Sequence, residues 1–136
     1  MAFVADASVA LAWYFKDEAT KGTEALREKL QSEDLHVPSH WPLEITNALL
    51  AAHQRGRVTA SELRALLADL RALPTEVDPH TSHMTWGATM DFAESHQLAT
   101  YDAAYLELAV RKSVPLATLN KALAAAAVAS GVKVLT

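Results

Sequence analysis

Along this chain, short all-apolar runs alternate with longer stretches in which apolar residues recur every three or four positions. Phe3 to Ala5 reads as a strand that stops at Asp6, and a helical pattern starts at Ser8 and runs through Phe15. Lys16 to Ser32 is charged but helical in period, with Ala19, Leu26 and Leu30 as its apolar positions, and its charges read as a solvated face. Leu35 to Val37 is a second brief strand, closed by Pro38. Ser39 to Gly56 predicts a helix, with Pro42 in its first turn and Gly56 at its end. Leu43, Asn47, Leu50 and Gln54 mark one side of it, with Asn47 expected inward near Glu44. Thr59 to Leu73 opens on a capping box and carries Leu63, Leu66, Leu67 and Leu70 as an amphipathic partner for the preceding helix. A third strand lies around Glu76 and Val77, and Thr81 to His96 is helical with Met84, Ala88 and Phe92 on one side. The last part reads as a helix opening at Asp102, a strand from Pro115 to Thr118, a helix opening at Asn120 and a strand from Val132 to Leu135.

Short strands separated by helices predict an α/β fold, a three-layer α/β/α arrangement around a short-stranded parallel sheet. With 136 residues, no linker and no internal repeat, the chain reads as a single domain over 1–136. Right-handed crossovers put all the strand C-termini on one edge, where open sheets bind ligands. Asp6 follows the first strand and Asn120 the fourth, so the two converge if those strands are neighbours at a topological switch point. First helical turns can deliver Glu44 and Asp102 to the same edge. Together, three carboxylates and one amide make a hard-cation site. Apart, each has an ordinary use, Asp6 or Ser8 as an N-cap and Glu44 as a complement to a helix dipole.

Charge narrows the partners. A net charge of −4 excludes nucleic-acid binding through global electrostatics, so such a partner needs a local basic patch or bridging cations. Arg55, Arg57, Arg64 and Arg71 fall in one helical hairpin and are the candidates for a patch, with solvated arginines as the plainer alternative. No cysteine is present, which suits a reducing compartment and excludes thiolate metal sites. His36, His40, His53, His80, His83 and His96 are scattered and lack the spacing of a zinc site. The apolar N-terminus lacks a basic start and no run is long enough to span a membrane, so neither a signal peptide nor a membrane association is expected.

The segments VADASVALAWYF, PLEITNALL and LATYDAAYLELAVRKSVPLATLNKAL, taken in order, resemble the PIN-domain ribonucleases, in particular the VapC-type toxins of toxin–antitoxin pairs. The resemblance runs from Phe3 to Leu135 and is most specific in TYDAAYLELA followed by PLATLN. It places the family's four acidic positions at Asp6, Glu44, Asp102 and Asn120, with Ser8 matching a small hydroxyl residue beside the first acid. The chain departs from the pattern at Asn120, where the family usually has Asp. An amide oxygen can ligate a hard cation but brings no charge, so one divalent-ion site is expected to survive and a second to be weakened.

What the resemblance implies is hydrolysis of RNA phosphodiesters assisted by Mg2+ or Mn2+. Asp6 and Asp102 would ligate directly, Glu44 would ligate through water or act as general base, and Ser8 and Asn120 would orient water or phosphate. Crowded carboxylates without their cation should have raised pKa values. The resemblance also implies a cytoplasmic homodimer neutralised by a cognate antitoxin, and Trp13, Tyr14, Phe15 and Trp41 offer apolar surface for such a partner. The rival from another class is a PIN-fold module that binds antitoxin or RNA but has lost catalysis through Asn120. An aspartyl phosphatase is disfavoured because it would want an acid at position 8, which is Ser.

Overall fold

Phe3, Val4 and Ala5 are fully buried, as a central parallel strand covered on both faces requires. They belong to β1 (Ala2–Ala5), one of five parallel strands in the computed structural model, which describes residues 1–135. The others are β2 (Asp34–Val37), β3 (Thr75–Val77), β4 (Leu116–Ala117) and β5 (Val134–Leu135), and the sheet order is β3-β2-β1-β4-β5. β1 pairs with β2 through Phe3↔Leu35 and with β4 through Val4↔Leu116 and Ala5↔Ala117. The chain therefore reverses its direction of travel across the sheet between β1 and β4, the expected switch point.

Right-handed crossovers place the helices on two faces. On one face lie α1 (Ala7–Ala12), α2 (Lys21–Lys29), α3 (Trp41–Gln54) and α4 (Ala60–Arg71), with α3 packed on both α1 and α4. On the other lie α5 (Thr81–Met84), α6 (Met90–His96), α7 (Thr100–Lys112) and α8 (Lys121–Ala129), with α7 packed on α6 and α8. The three-layer expectation holds.

Local chemistry explains where the elements depart from the sequence reading. The Lys16–Ser32 helix starts only at Lys21, because Thr20 and Thr23 cap each other reciprocally there. On α3 the buried side is Trp41, Ile45, Leu49 and Ala52, whereas Leu43 is 73% exposed and Asn47 also faces solvent. The expected stripe is displaced by two residues, about 200° round the helix. Thr81–His96 is continuous but contains a π-helical segment, Thr85–Thr89, that presents Trp86 to solvent. α7 begins two residues before Asp102, which therefore stands in the first turn and not at the cap.

The aromatic residues also correct an expectation. Trp13 and Trp41 are core residues at 4% and 5% exposure, and the Trp13 indole donates to the Thr23 carbonyl at 2.7 Å. Tyr14 and Phe15 are half-buried beneath the guanidinium groups of Arg27 and Arg57. Arg57 also reaches Asp17 at 2.9 Å, so it is not a free member of a basic patch.

A buried ion network that the sequence did not announce joins β3 to α7. Arg111 grips Asp78 at 2.6 and 3.0 Å and Glu107 at 2.7 and 3.0 Å, and both acids are almost completely buried. Thr81 donates to Asp78 at 2.8 Å and accepts the Ser39 N–H at 3.0 Å, so the network extends to the loop before α3. Burial by itself would raise the Asp78 carboxyl, but its hydrogen bonds from Arg111 and Thr81 hold it at about 2. A folded value below the unfolded one stabilises the protein above the unfolded pKa, and that stability is lost as pH falls through the folded value. Denaturant unfolding should therefore show a loss of about 2 kcal/mol between roughly pH 4.5 and 2. Asp78→Asn should lack that part of the slope.

Candidate active site

The end of β1 and the end of β4 are stitched together around Asp6. Its backbone N–H donates to the Ala117 carbonyl at 3.1 Å, which continues the β1–β4 pairing into the site. One carboxylate oxygen accepts from the Ser8 hydroxyl at 2.5 Å and from the Val9 N–H at 3.3 Å, so Asp6 does cap α1. The other accepts from the hydroxyl of Thr118, which is buried just past β4. Ser8 in turn accepts the Leu119 N–H at 3.2 Å, and Thr118 accepts the Asn120 N–H at 3.0 Å.

Glu44 comes from the first turn of α3 and Asp102 from the first turn of α7. The Tyr105 hydroxyl, one turn beyond Asp102, donates to Glu44 Oε1. His40 Nε2 lies 3.4 Å from the same oxygen and 2.9 Å from the Tyr101 carbonyl. A carbonyl only accepts, so that ring nitrogen carries a proton. The His40 ring also meets the Tyr105 ring edge-on, 5.2 Å between centroids. α3 and α7 are thus joined across the mouth of the site.

All three carboxyls are pushed above their ordinary values, as expected for a crowded acidic site. Burial is the main cause in each case. For Asp6, hydrogen bonds from Ser8, Thr118 and Val9 pull the other way, and the charge of Asp102 adds to the rise. For Glu44, the Tyr105 hydroxyl and His40 oppose the rise, and Asp102 and Asp6 reinforce it. For Asp102, only His40 opposes it. Mutual repulsion is therefore real but secondary. The Tyr105 phenol is driven far above its usual value by burial first and then by Glu44, so it remains a proton donor.

Among the described residues, no three His, Asp or Glu side chains stand close enough together to hold a metal ion as they are placed. Asp6 and Glu44 instead spend oxygens on Ser8, Thr118 and Tyr105. The donor set nevertheless fits a hard divalent ion, because it is all oxygen, rich in carboxylate and short of positive charge. Asn120 stands beside it, but its side-chain oxygen accepts the Leu123 N–H at 3.1 Å and is used as the cap of α8.

Three residues of the site went unread in the sequence. His40 sits one helical turn before Glu44, and Tyr105 sits three residues after Asp102, so helical spacing carried a signal for both. Thr118 lies two residues before Asn120 at a strand end. Thr118→Val, which keeps the shape and removes the donor, should free Asp6 and weaken Mn2+ binding by about 10- to 100-fold, as loss of a ligand's supporting partner does. Calorimetric Mn2+ titration checks this, and unchanged affinity would contradict a supporting role.

The sequence profile of the PIN domain matches residues 3–129. Ribonuclease VapC3 of Pyrobaculum aerophilum is 29% identical over 124 residues, which cover 91% of this chain and 93% of that protein. Ribonuclease VapC3 of Mycobacterium tuberculosis is 32% identical over 103 residues, 75% of this chain and 72% of that protein. A crystal structure of a Pyrobaculum aerophilum protein superposes with a TM-score of 0.64 at 26% identity, covering 93% of this chain and 87% of that one. FitAcB from Neisseria gonorrhoeae gives 0.65 at 15% identity over 98% of this chain and 96% of that one, a likeness of fold alone. The chain belongs to the PIN-domain family. Within that family it stands with the VapC-type proteins.

Proposed function

We propose that this chain, acting as a single PIN domain over 1–136, is a divalent-metal-dependent endoribonuclease and the toxin of a type II toxin–antitoxin system. The observation that supports the reading is the charge coupling among Asp6, Glu44 and Asp102, each carboxyl held above its ordinary value, with Asp6 at the β1–β4 switch point. Such a site lacks positive charge, and the names of its VapC relatives supply the substrate class.

Asp6 and Asp102, assisted by Glu44, would hold Mg2+ or Mn2+. The bound ion would supply charge for a phosphodiester and lower the pKa of a water nucleophile. The remaining roles fall to the chain itself. Ser8 and Thr118 fix the Asp6 carboxylate from two sides, and Tyr105 fixes Glu44. A glutamate raised above its ordinary value by burial and aimed by a phenol would suit a general base, taking the proton of the attacking water. His40 carries a proton beside Glu44 and ties α3 to α7, which holds two acids at constant separation. Ser8 donates to the acid and accepts the Leu119 N–H, and would orient a water or the phosphate once an ion draws Asp6 away from its hydroxyl.

A second reading is favoured by one observation. The Asn120 oxygen is committed to a helix cap and brings no charge, as in a binding module whose catalysis has weakened. A large gain of cleavage in Asn120→Asp would favour that reading.

The proposed partners are RNA, a cognate antitoxin and a second copy of the chain, in the cytoplasm. A groove of about 620 Å3 between α3, α4 and edge strand β3, presenting Pro42, Thr46, Leu67 and Ala68 with Arg64 and Arg71 over a floor of core side chains, suits an antitoxin segment. Exposed Leu50, Trp86 and Met90 offer surface for a second copy. No helix among the described residues is long and apolar enough to cross a membrane.

The test is incubation of purified, antitoxin-free protein with a cellular RNA pool in Mg2+, Mn2+ or chelator. Discrete cuts that require the metal support the proposal. Absence of cutting by folded protein moves the weight to the binding module.

A further inference from the structure

Three residues of the site each follow an exposed apolar neighbour. Leu43 precedes Glu44 and is 73% exposed, Tyr101 precedes Asp102 and is 64% exposed, and Leu119 precedes Asn120 and is 41% exposed. Single exposed apolar side chains are ordinary on any surface. Tyr101 and Leu119 differ because their backbones are pinned to the site. The Tyr101 carbonyl is held by His40 at 2.9 Å, and the Leu119 N–H is held by Ser8 at 3.2 Å. The exposed Tyr101 ring therefore stands on a fixed turn of α7, one residue from an acid and one side chain from another.

Few of the groups that usually hold nucleic acid adjoin the site residues in sequence, exposed Lys121 after Asn120 among them. The chain carries a net charge of −4, and the only ion pair reaching the acid cluster among the described residues is His40 with Glu44. Counterion release, the main source of backbone affinity, is therefore weak here. Affinity beyond that has to come from elsewhere, and the exposed phenol ring of Tyr101 is a stacking surface. Unpaired bases offer π-faces to such a surface, whereas bases inside an A-form helix do not.

Resting on the ribonuclease reading, we infer that Tyr101 is the stacking platform for an unpaired base adjoining the phosphate that enters the acid cluster. The substrate is then single-stranded RNA at the cut. Tyr101 acts through binding, as a residue that selects the nucleotide beside the scissile bond.

The test is fluorescence anisotropy of a short labelled single-stranded RNA in Ca2+, with wild type, Tyr101→Ala and Tyr101→Phe. Because His40 holds a backbone carbonyl, truncation of Tyr101 leaves that hydrogen bond in place, and matching melting temperatures confirm that the fold is kept. Tyr101→Ala is expected to bind about 5- to 150-fold more weakly, and Tyr101→Phe like wild type. Scanning an abasic nucleotide along the RNA should find one position at which wild type and Tyr101→Ala bind equally. Equal affinity of Tyr101→Ala on intact RNA, equal loss in Tyr101→Phe, or no RNA binding by wild type overturns the inference. Tyr101-dependent binding by a protein that cuts nothing would leave the platform standing and remove the catalytic reading. Cutting with unchanged Tyr101→Ala affinity would do the reverse.

Discussion

Asp102→Asn is expected to reduce RNA cleavage by more than about 100-fold and, in chelator, to raise the melting temperature. The first effect follows from removing a direct ligand, since even the partners that support ligands are worth about 10- to 100-fold. The second follows from the sign of the shift. Burial raises the Asp102 carboxyl, and no hydrogen-bond donor offsets it, only the charge of His40. A carboxyl raised in the folded state favours folding at low pH and opposes it at neutral pH, where the charged form predominates. An uncharged amide removes that penalty. Divalent ion should then reverse the order, because a ligand that binds only the folded state stabilises wild type by mass action and the variant much less. Melting curves in chelator and in Mn2+ would show the two proteins crossing. A purely structural Asp102 would give a variant less stable in both.

The second large effect belongs to Arg111, far from the acids. Arg111→Met should destabilise by about 3–5 kcal/mol, because it leaves Asp78 and Glu107 buried without their cation. For a chain of this size that is a fall of about 10–17 °C in melting temperature. Adding Asp78→Asn and Glu107→Gln to Arg111→Met should recover much of the loss, since a buried ionic cluster is costly to break but seldom much better than neutral groups. A loss below about 1 kcal/mol in the single variant would show that water reaches the acids. The cluster also reaches the site, through Asp78, Thr81 and the Ser39 N–H just before His40. Cleavage by Arg111→Met should therefore fall even well below its melting temperature.

The alternation of short apolar runs with helical periods was enough to place every strand to within one or two residues, whereas Asp6 beside β4 followed only on the condition, met in the fold, that the first and fourth strands are neighbours. Two helix starts were legible from a side chain that bonds the first turn, Thr59 with Glu62 and Asn120 with Leu123, but the Thr20–Thr23 pair that starts α2 was not. The buried side of α3 was not legible. Leu43 and Leu50 are as apolar as Ile45 and Leu49, so periodicity offered two stripes and only tertiary packing chose between them. Trp13 and Trp41 looked available to a partner because an aromatic side chain reads alike in a core and at a surface. Within the site, the acids could be named from their positions at element junctions, but their supports could not. Thr118 and Asp6 are 112 residues apart, and Tyr105 and Glu44 are 61 apart, so each contact exists only through the fold. The Asp78–Arg111 pair is hidden for the same reason, whereas Glu107 and Arg111 are ordinary i, i+4 helix neighbours.

Mn2+ binding followed by electron paramagnetic resonance tests the central claim most directly, because it asks whether Asp6, Glu44 and Asp102 act as one cation site. The account predicts that wild type takes up Mn2+ and quenches the free-ion signal, and that Asp6→Asn and Asp102→Asn each weaken that uptake by more than about tenfold. Uptake of the same strength in all three proteins, or none in wild type, would contradict it.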